Sequence, residues 1–252
     1  MANPYESERL LSEYLLFHYG RDEQILPYAG GPNGALGFAV RVVTECLDTT
    51  RLPPNARALD LGCAVGRSSF ELALSCETVV GIDFSASFIV AAEELRANGT
   101  HPYRRIDQGR LTTECLAEVP PGIERRRVAF EVGDAVSLRP DLGSFDVALL
   151  ANLLDRLPDP RRCLAQLPGL LSPGAQLVIA SPFTWLEEYT PFENWLGGFE
   201  QDGRRIESFA VLREILAPDF EFTRELDLPF LIREHERKFQ WSVSHAGVWR
   251  RR

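Results

Sequence analysis

Ala58-Leu-Asp-Leu-Gly-Cys-Ala-Val-Gly66, followed at Val79-Val-Gly-Ile-Asp83 by a second apolar run ending in a carboxylate, decides how this chain is read. The pattern predicts a buried strand, a glycine turn opening a helix, and a second buried strand. Gly62 and Gly66 let backbone approach a ligand where a side chain would collide with it. Asp83 falls about twenty residues on, where a carboxylate can accept both hydroxyls of a ribose. A nucleoside compound is the expected ligand. A dinucleotide site would show G-x-G-x-x-G and a helix start holding pyrophosphate. Here the pattern is D-x-G-x-x-x-G, and Asp60, ahead of the first glycine, would repel pyrophosphate but suits the ammonium of an amino acid. The plain alternative is a strand-turn-helix with incidental glycines. It must then treat Asp60, Gly62, Gly66 and Asp83 in register as chance.

Outward from this stretch the chain alternates. Strands are predicted at Arg57–Leu61, Thr78–Ile82, Arg127–Val132, Ser144–Ala151 and Gln176–Ala180, with helices at Arg67–Leu74, Ser85–Asn98 and Pro160–Leu171 between them. Such alternation implies a parallel sheet covered on both faces. A helix at Phe209–Leu216 is expected after Ser208 as its cap, then runs at Glu221–Leu228 and Phe239–Trp249, the second alternating like an antiparallel strand. Upstream, Asn3, Pro4 and Glu6 read as a capped helix start, ended by Gly20, with a second helix over Ala35–Leu47. The segment His101–Arg126 is longer than an ordinary connection and is expected to pack over the ligand or a partner. Residues 1–50 are expected to form an N-terminal helical lid, and residues 51–252 one compact binding domain.

Composition narrows the partners. At 45% hydrophobic and 25% charged residues the chain reads as an ordinary globular protein. Its net charge of −9 argues against a nucleic-acid partner, which needs clustered Lys and Arg. No apolar run reaches transmembrane length, and the first residues lack the basic and apolar regions of a signal peptide, so no membrane partner is expected. Cys46, Cys63, Cys76, Cys115 and Cys163 form no CxxC pair. Neither a disulfide framework nor a metal site is expected, and a cytoplasmic location with reduced thiols is.

The turn after the first strand resembles motif I of class I S-adenosylmethionine-dependent methyltransferases. The fold this implies is Rossmann-like: a mostly parallel seven-stranded sheet with a terminal antiparallel strand. By that resemblance Asp60, Gly62, Cys63, Gly66 and Arg67 line the methionyl part of the cofactor. Asp83 takes the ribose, with Phe84 beside it. Asp134 and Ala135, after the third strand, meet the adenine, and Asn152, after the fourth, lies nearest the transferred methyl. Cys63 also reads simply as a small apolar filler. Each aspartate alone also reads as a strand-end turn residue.

Three further strings, Asn3–Gly20, Ser181–Pro191 and Asp227–Trp241, are similar to the methyltransferase of ovothiol biosynthesis, and the resemblance covers essentially the whole chain. It implies methyl transfer to the side-chain-proximal (pi) imidazole nitrogen of 5-thiohistidine (4-mercaptohistidine), with S-adenosylhomocysteine as the second product and no metal. Such an acceptor calls for an arginine, an acid and aromatic walls. Tyr14, His18, Phe183, Trp185, Glu187, Glu188 and Arg233 supply those types, and Asn152, Tyr14 and His235 are the catalytic candidates. Bifunctional relatives also carry an iron-dependent sulfoxide synthase. The four histidines here, His18, His101, His235 and His245, show no facial-triad spacing. A separate sulfoxide synthase would then supply the thiohistidine, unless the chain is an excised domain. Alternatives are a class I methyltransferase for another small metabolite, a cofactor-binding partner without catalysis, and a dehydrogenase, which the missing third glycine disfavours.

Overall fold

The computed structural model describes residues 6–252. Its centre is one seven-stranded sheet in the order β10-β11-β7-β6-β1-β2-β5. The strands are β1 (Arg57–Leu61), β2 (Thr78–Asp83), β5 (Val128–Val132), β6 (Phe145–Ala151), β7 (Leu171–Ser181), β10 (Phe220–His235) and β11 (Lys238–Arg251). β1, β2, β5, β6 and β7 pair in parallel, and β11 runs antiparallel to both β7 and β10. The seven-stranded class I architecture expected from the turn motif is the one observed.

Strands β1, β6 and β7 are buried on both faces because helices cover each side. On one face α1 (Glu8–Tyr19), α3 (Phe38–Thr44), α4 (Arg67–Leu72) and α5 (Ala86–Asn98) pack a core that includes Leu15, Phe38, Val42, Phe70, Phe88 and Val178. On the other, α6 (Pro160–Leu170) and α7 (Ser208–Leu216) enclose Leu59, Phe145, Leu167, Ile179 and Trp249. Helix starts follow capping chemistry: Ser7 Oγ accepts from Leu10 N, Ser85 Oγ from Phe88 N, and Asp159 from Arg162 N with Pro160 in the first turn.

Several expectations need correction. The cap expected at Asn3 and Pro4 lies outside the described residues, and Ser7 caps α1. The helix expected over Ala35–Leu47 is Phe38–Thr44, and a short helix at Asp22–Ile25 precedes it. Ser208 is the first residue of α7, and its hydroxyl accepts from Trp185 Nε1 at 2.8 Å instead of capping the helix. Segment 101–126 is largely a hairpin, β3 (Thr100–Gln108) against β4 (Leu111–Glu118). A smaller hairpin, β8 (Phe199–Gln201) with β9 (Arg204–Ile206), precedes α7.

Two features shape the carboxyl edge of the sheet. β10 and β11 run on past the end of β7, whose last residue, Ser181, pairs with His245. Their tip then reaches β3: Glu236 N donates to Asp107 O at 3.1 Å, and Tyr28 OH to Glu236 O at 2.9 Å. The second is α1, which packs against β10, β3 and β4 and buries Leu15, Leu16 and Phe17. The N-terminal helix thus shares the main core with the sheet.

Candidate active site

The loop after β1 is held by carboxylates. Gly62 and Gly66 have φ of 74° and 83°, the left-handed region that glycine tolerates best. A Cβ on Gly66 would lie 2.4 Å from Phe130 Cζ, and one on Gly62 2.9 Å from Leu153 Cδ1. Both glycines are therefore demanded by the protein's own packing, in addition to any ligand. The intervening Ala64 also has positive φ, at 47°. Its N–H donates to Asp83 Oδ2 at 2.9 Å, while Asp83 Oδ1 accepts from Ser85 N at 2.9 Å. Asp83 thus ties the two strand ends together. The Phe84 N–H is a third backbone donor to this carboxylate, whose remaining lone-pair capacity is open to a hydroxyl donor. Burial pushes its carboxyl up, against the pull of these hydrogen bonds.

Next to Asp83, Phe84 is 66% exposed, and Val132 of β5, which pairs with Asp83, is 56% exposed. Exposed apolar surface of this size at a sheet's ligand edge suits a flat aromatic ligand. Asp134 Oδ1 accepts from Val136 N at 2.9 Å, leaving its second oxygen for an amino donor, with Ala135 buried beside it.

At the other end of the loop the polar groups are buried. Asp60 is 1% exposed, and Ser69 Oγ donates to it at 2.6 Å. Burial, more than any other cause, pushes its carboxyl up to about 7. An ammonium placed beside it would restore the charged form. Arg67, at the start of α4, is buried and paired with Glu71 at 2.8 Å. His18 stands close enough to Arg67 to feel its charge. Burial and then Arg67 hold the His18 imidazole down to about 3. Its Nδ1 has no partner among the described residues, whereas Tyr19 OH donates to Val65 O at 2.8 Å. A carboxylate fits this corner. The residues present thus suit adenine, ribose, ammonium and carboxylate in turn, the parts of S-adenosylmethionine. Cys63 is buried, its thiol raised well above the usual range by burial, as expected of a packing residue.

The acceptor-side candidates divide. Asn152 has φ of 54°, its N–H donates to Ala180 O at 2.7 Å, and its Oδ1 accepts from Ser244 Oγ at 2.6 Å, so it links the ends of β6 and β7 to the middle of β11. Phe183 also has positive φ, at 51°. Its turn is pinned by Asp155, 1% exposed, which accepts from Ser181 Oγ at 3.1 Å and Thr184 N at 2.9 Å, while Ser181 Oγ accepts from Phe183 N at 3.0 Å. Non-glycine residues held at positive φ cluster at functional sites, where surrounding structure enforces them. Asp155 and Ser244 were not picked out from sequence. The position of Asp155, shortly after the fourth strand, was the one signal for it.

The remaining candidates sit in supporting roles. Tyr14 packs its ring on Phe88 at 4.8 Å. Trp185 is buried and hydrogen-bonded to Ser208. Glu187 and Glu188 are exposed. Arg233 corrects the sequence reading: it is 4% exposed, and its guanidinium donates to Gln24 O at 2.6 Å and Asp107 Oδ1 at 3.3 Å, fastening the hairpin tip to α2 (Asp22–Ile25) and β3. His235 is in that tip too, its Nδ1 accepting from Arg237 N at 3.3 Å.

Residues 59–177 match the model of a methyltransferase domain family. Over 137 residues the chain is 28% identical to a ubiquinone biosynthesis O-methyltransferase of Hahella chejuensis, covering 54% of this chain and 48% of that protein. The chain spans about a third to a half of the length of the first curated relatives it matches. Among solved structures, the N-methyltransferase NodS of Bradyrhizobium japonicum with S-adenosylhomocysteine aligns with TM-score 0.52 at 15% identity, over 96% of this chain and 98% of that one. The [4+2]-cyclase SpnF aligns with TM-score 0.57 at 16% identity, over 98% and 94%. Residues 59–177 thus match a methyltransferase domain, and the chain shares its fold with these solved structures. No helix among the described residues is long and apolar enough to cross a membrane.

Proposed function

We propose that this chain is an S-adenosylmethionine-dependent N-methyltransferase that methylates the pi imidazole nitrogen of 5-thiohistidine in ovothiol biosynthesis, with S-adenosylhomocysteine as co-product. The observation that carries methyl transfer is the cradle at the carboxyl edge: Asp83 joined to Ala64 N, exposed Phe84 beside it, and buried Asp60 at the far end of the same loop. The acceptor is a finer reading. It rests on the likeness of the Asn3–Gly20, Ser181–Pro191 and Asp227–Trp241 strings to the ovothiol enzymes. The middle string includes the strained Phe183 turn at the ligand edge.

The bound sulfonium supplies the methyl, and the chain supplies position. Asp83 accepts the ribose hydroxyls, Phe84 and Ala135 cover the adenine, Asp134 accepts from its amino group, and Asp60 meets the ammonium. His18 and Arg67 suit the cofactor carboxylate, which moves His18 from the acceptor's side to the cofactor's. Asn152 stands closest to the reacting methyl. Holding the nitrogen and the methyl aligned at contact can contribute roughly 7–11 kcal/mol in favourable systems. A separate sulfoxide synthase supplies the thiohistidine, and the reaction takes place in the cytoplasm.

The test is mass spectrometry of products from the purified chain with S-adenosylmethionine and a panel of thiohistidine, histidine and unrelated small acceptors. A gain of one methyl on the pi nitrogen of 5-thiohistidine is expected. A second reading, methylation of another small metabolite, draws on relatives whose names point to other acceptors, among them the ubiquinone-pathway enzyme. Methyl transfer only to an unrelated acceptor would favour it. Cofactor binding without any methyl transfer would fit a partner protein instead.

A further inference from the structure

Asn152 follows the last residue of β6, whose neighbours in the sheet are β1 and β7. The next residue, Leu153, packs on the cofactor loop: a Cβ on Gly62 would lie 2.9 Å from Leu153 Cδ1. Asn152 is thus one residue from direct contact with the turn that Asp60 and Asp83 frame. Its backbone, at φ of 54°, is in the left-handed region, which Asn adopts more readily than most residues with a side chain. The bond from its N–H to Ala180 O fixes that backbone, so only the side-chain amide is left to be oriented.

That orientation is set from β11. Ser244 is fully buried, and its hydroxyl donates to Asn152 Oδ1 at 2.6 Å across 92 residues of chain. Pairing of β11 with β7 begins at His245, opposite Ser181, so Ser244 lies just past the carboxyl end of β7. Alternate residues of a strand share a face, and Ser244 therefore faces the same way as Ala246 and Val248, which belong to the core under α1 and α4. His18 and Arg67 are carried by those same two helices. The pair thus stands on the cradle's side of the sheet. A hydroxyl buried in a strand costs stability unless it is bonded, and this one is spent on Asn152. An amide has one oxygen and one NH2. With Oδ1 turned to Ser244, Nδ2 is turned away from it. None of the described residues accepts from Nδ2, and Asn152 is only partly buried, so the NH2 stays open to a ligand.

We infer that Ser244 is a positioning residue: it fixes the Asn152 amide so that Nδ2, not Oδ1, faces the methyl acceptor. The inference rests on the methyl-transfer reading above. Nδ2 can only donate, so the acceptor must present a lone pair to it, on oxygen, sulfur or an unprotonated ring nitrogen. 5-Thiohistidine presents two such groups besides its ring, a thiolate and a carboxylate. A molecule offering only N–H or C–H at that point would leave Nδ2 unpaired and be selected against.

Steady-state kinetics of the full chain test this, with 5-thiohistidine or with the acceptor that the product panel identifies in its place. S-adenosylhomocysteine affinity is measured alongside by calorimetry. Ser244→Ala is expected to lower kcat/KM for the acceptor by about 10-fold, the worth of one hydrogen bond, with S-adenosylhomocysteine affinity within about two-fold. Asn152→Asp keeps an oxygen toward Ser244 and replaces the donor by a second oxygen; it is expected to lose roughly 100-fold. In an Asn152→Ala background, Ser244→Ala is expected to cost nothing further, because no amide is left to orient. Wild-type kinetics in Ser244→Ala overturn the inference and leave methyl transfer standing. So do near-wild-type kinetics in Asn152→Asp, an undiminished Ser244→Ala effect in the Asn152→Ala background, or a matching loss of S-adenosylhomocysteine affinity. A wild-type chain that binds S-adenosylhomocysteine but methylates nothing in the panel overturns the methyl-transfer reading and this inference together.

Discussion

The two sides of the sheet's carboxyl edge are built on different plans. On the side of α1 and α4, the polar groups are buried and most are already tied: Asp83 to Ala64 N and Ser85 N, Asp60 to Ser69, Arg67 to Glu71. On the side of Phe183 and the β8–β9 hairpin, an open cavity is ringed by exposed charges on a short two-stranded arm. The first side is organised before any ligand arrives, so little ordering cost is left for binding. The second leaves its charged groups hydrated until something enters. A ligand on the first side would meet groups already fixed in place, whereas one on the second would have to order them.

The largest effect is expected where the rigid side is cut. Asp83→Ala removes the carboxylate proposed to accept the ribose hydroxyls and frees the Ala64 N–H that it holds. Charged hydrogen bonds contribute about 1.5–3 kcal/mol each, so S-adenosylhomocysteine affinity should fall by roughly 100-fold or more. Calorimetry showing native affinity would break the comparison, because the loop would then not depend on its carboxylate.

Asp155→Ala attacks the base of the adjustable side. It strands Ser181 Oγ, a buried donor that costs about 1–3 kcal/mol when unpaired, and releases the exposed Thr184 N–H from the turn. Melting temperature should drop by several degrees. Acceptor KM should rise as the Phe183 turn relaxes, with cofactor affinity nearly unchanged. Equal losses at both ligands would mean that the two sides are one unit.

Proton linkage sharpens the contrast within the rigid side. The folded, ligand-free chain holds the Asp60 proton more tightly than the unfolded chain, so that contribution to stability is complete below about 3.8 and is lost as pH rises through about 7. His18 works the other way: its contribution is complete above about 6.5 and is lost as pH falls toward about 3. Thermal melts of Asp60→Asn should lose the first dependence, and those of His18→Phe the second. Wild-type pH profiles in both variants would show that these groups are not buried as described. The cofactor's ammonium opposite Asp60 should in addition make binding tighten as pH rises through about 7.

The smallest effects belong to residues now placed outside both sides. Arg233→Ala should cost about 1–3 kcal/mol of stability through the lost hairpin contacts, with acceptor KM unchanged. Glu187→Gln, at an exposed position, should alter stability by less than about 0.5 kcal/mol and leave kinetics alone. A raised acceptor KM in either would extend the pocket toward that residue.

The amino-acid sequence alone determined the sheet and the cofactor side. Val147–Ala151, and Ala58–Leu61 apart from Asp60, are apolar because both faces are buried, and that pattern is local. Asp60, Gly62, Gly66 and Asp83 lie within one strand-turn-helix-strand unit, so their spacing along the chain carries their geometry. The two extra hairpins lacked such a signal. β4 is exposed along most of its length, so its residues show no inward–outward alternation, and β8 and β9 have three residues each. The side of Phe183 and the β8–β9 hairpin was decided only by the tertiary structure. Phe183, Glu225 and His245 meet through strand pairings across long sequence separations, and Arg233, chemically apt for a carboxylate, is drawn away because the hairpin tip bends toward Asp107. Residue type reports what a side chain can bind. Which partner it meets depends on where the strands end and on which neighbours compete for it.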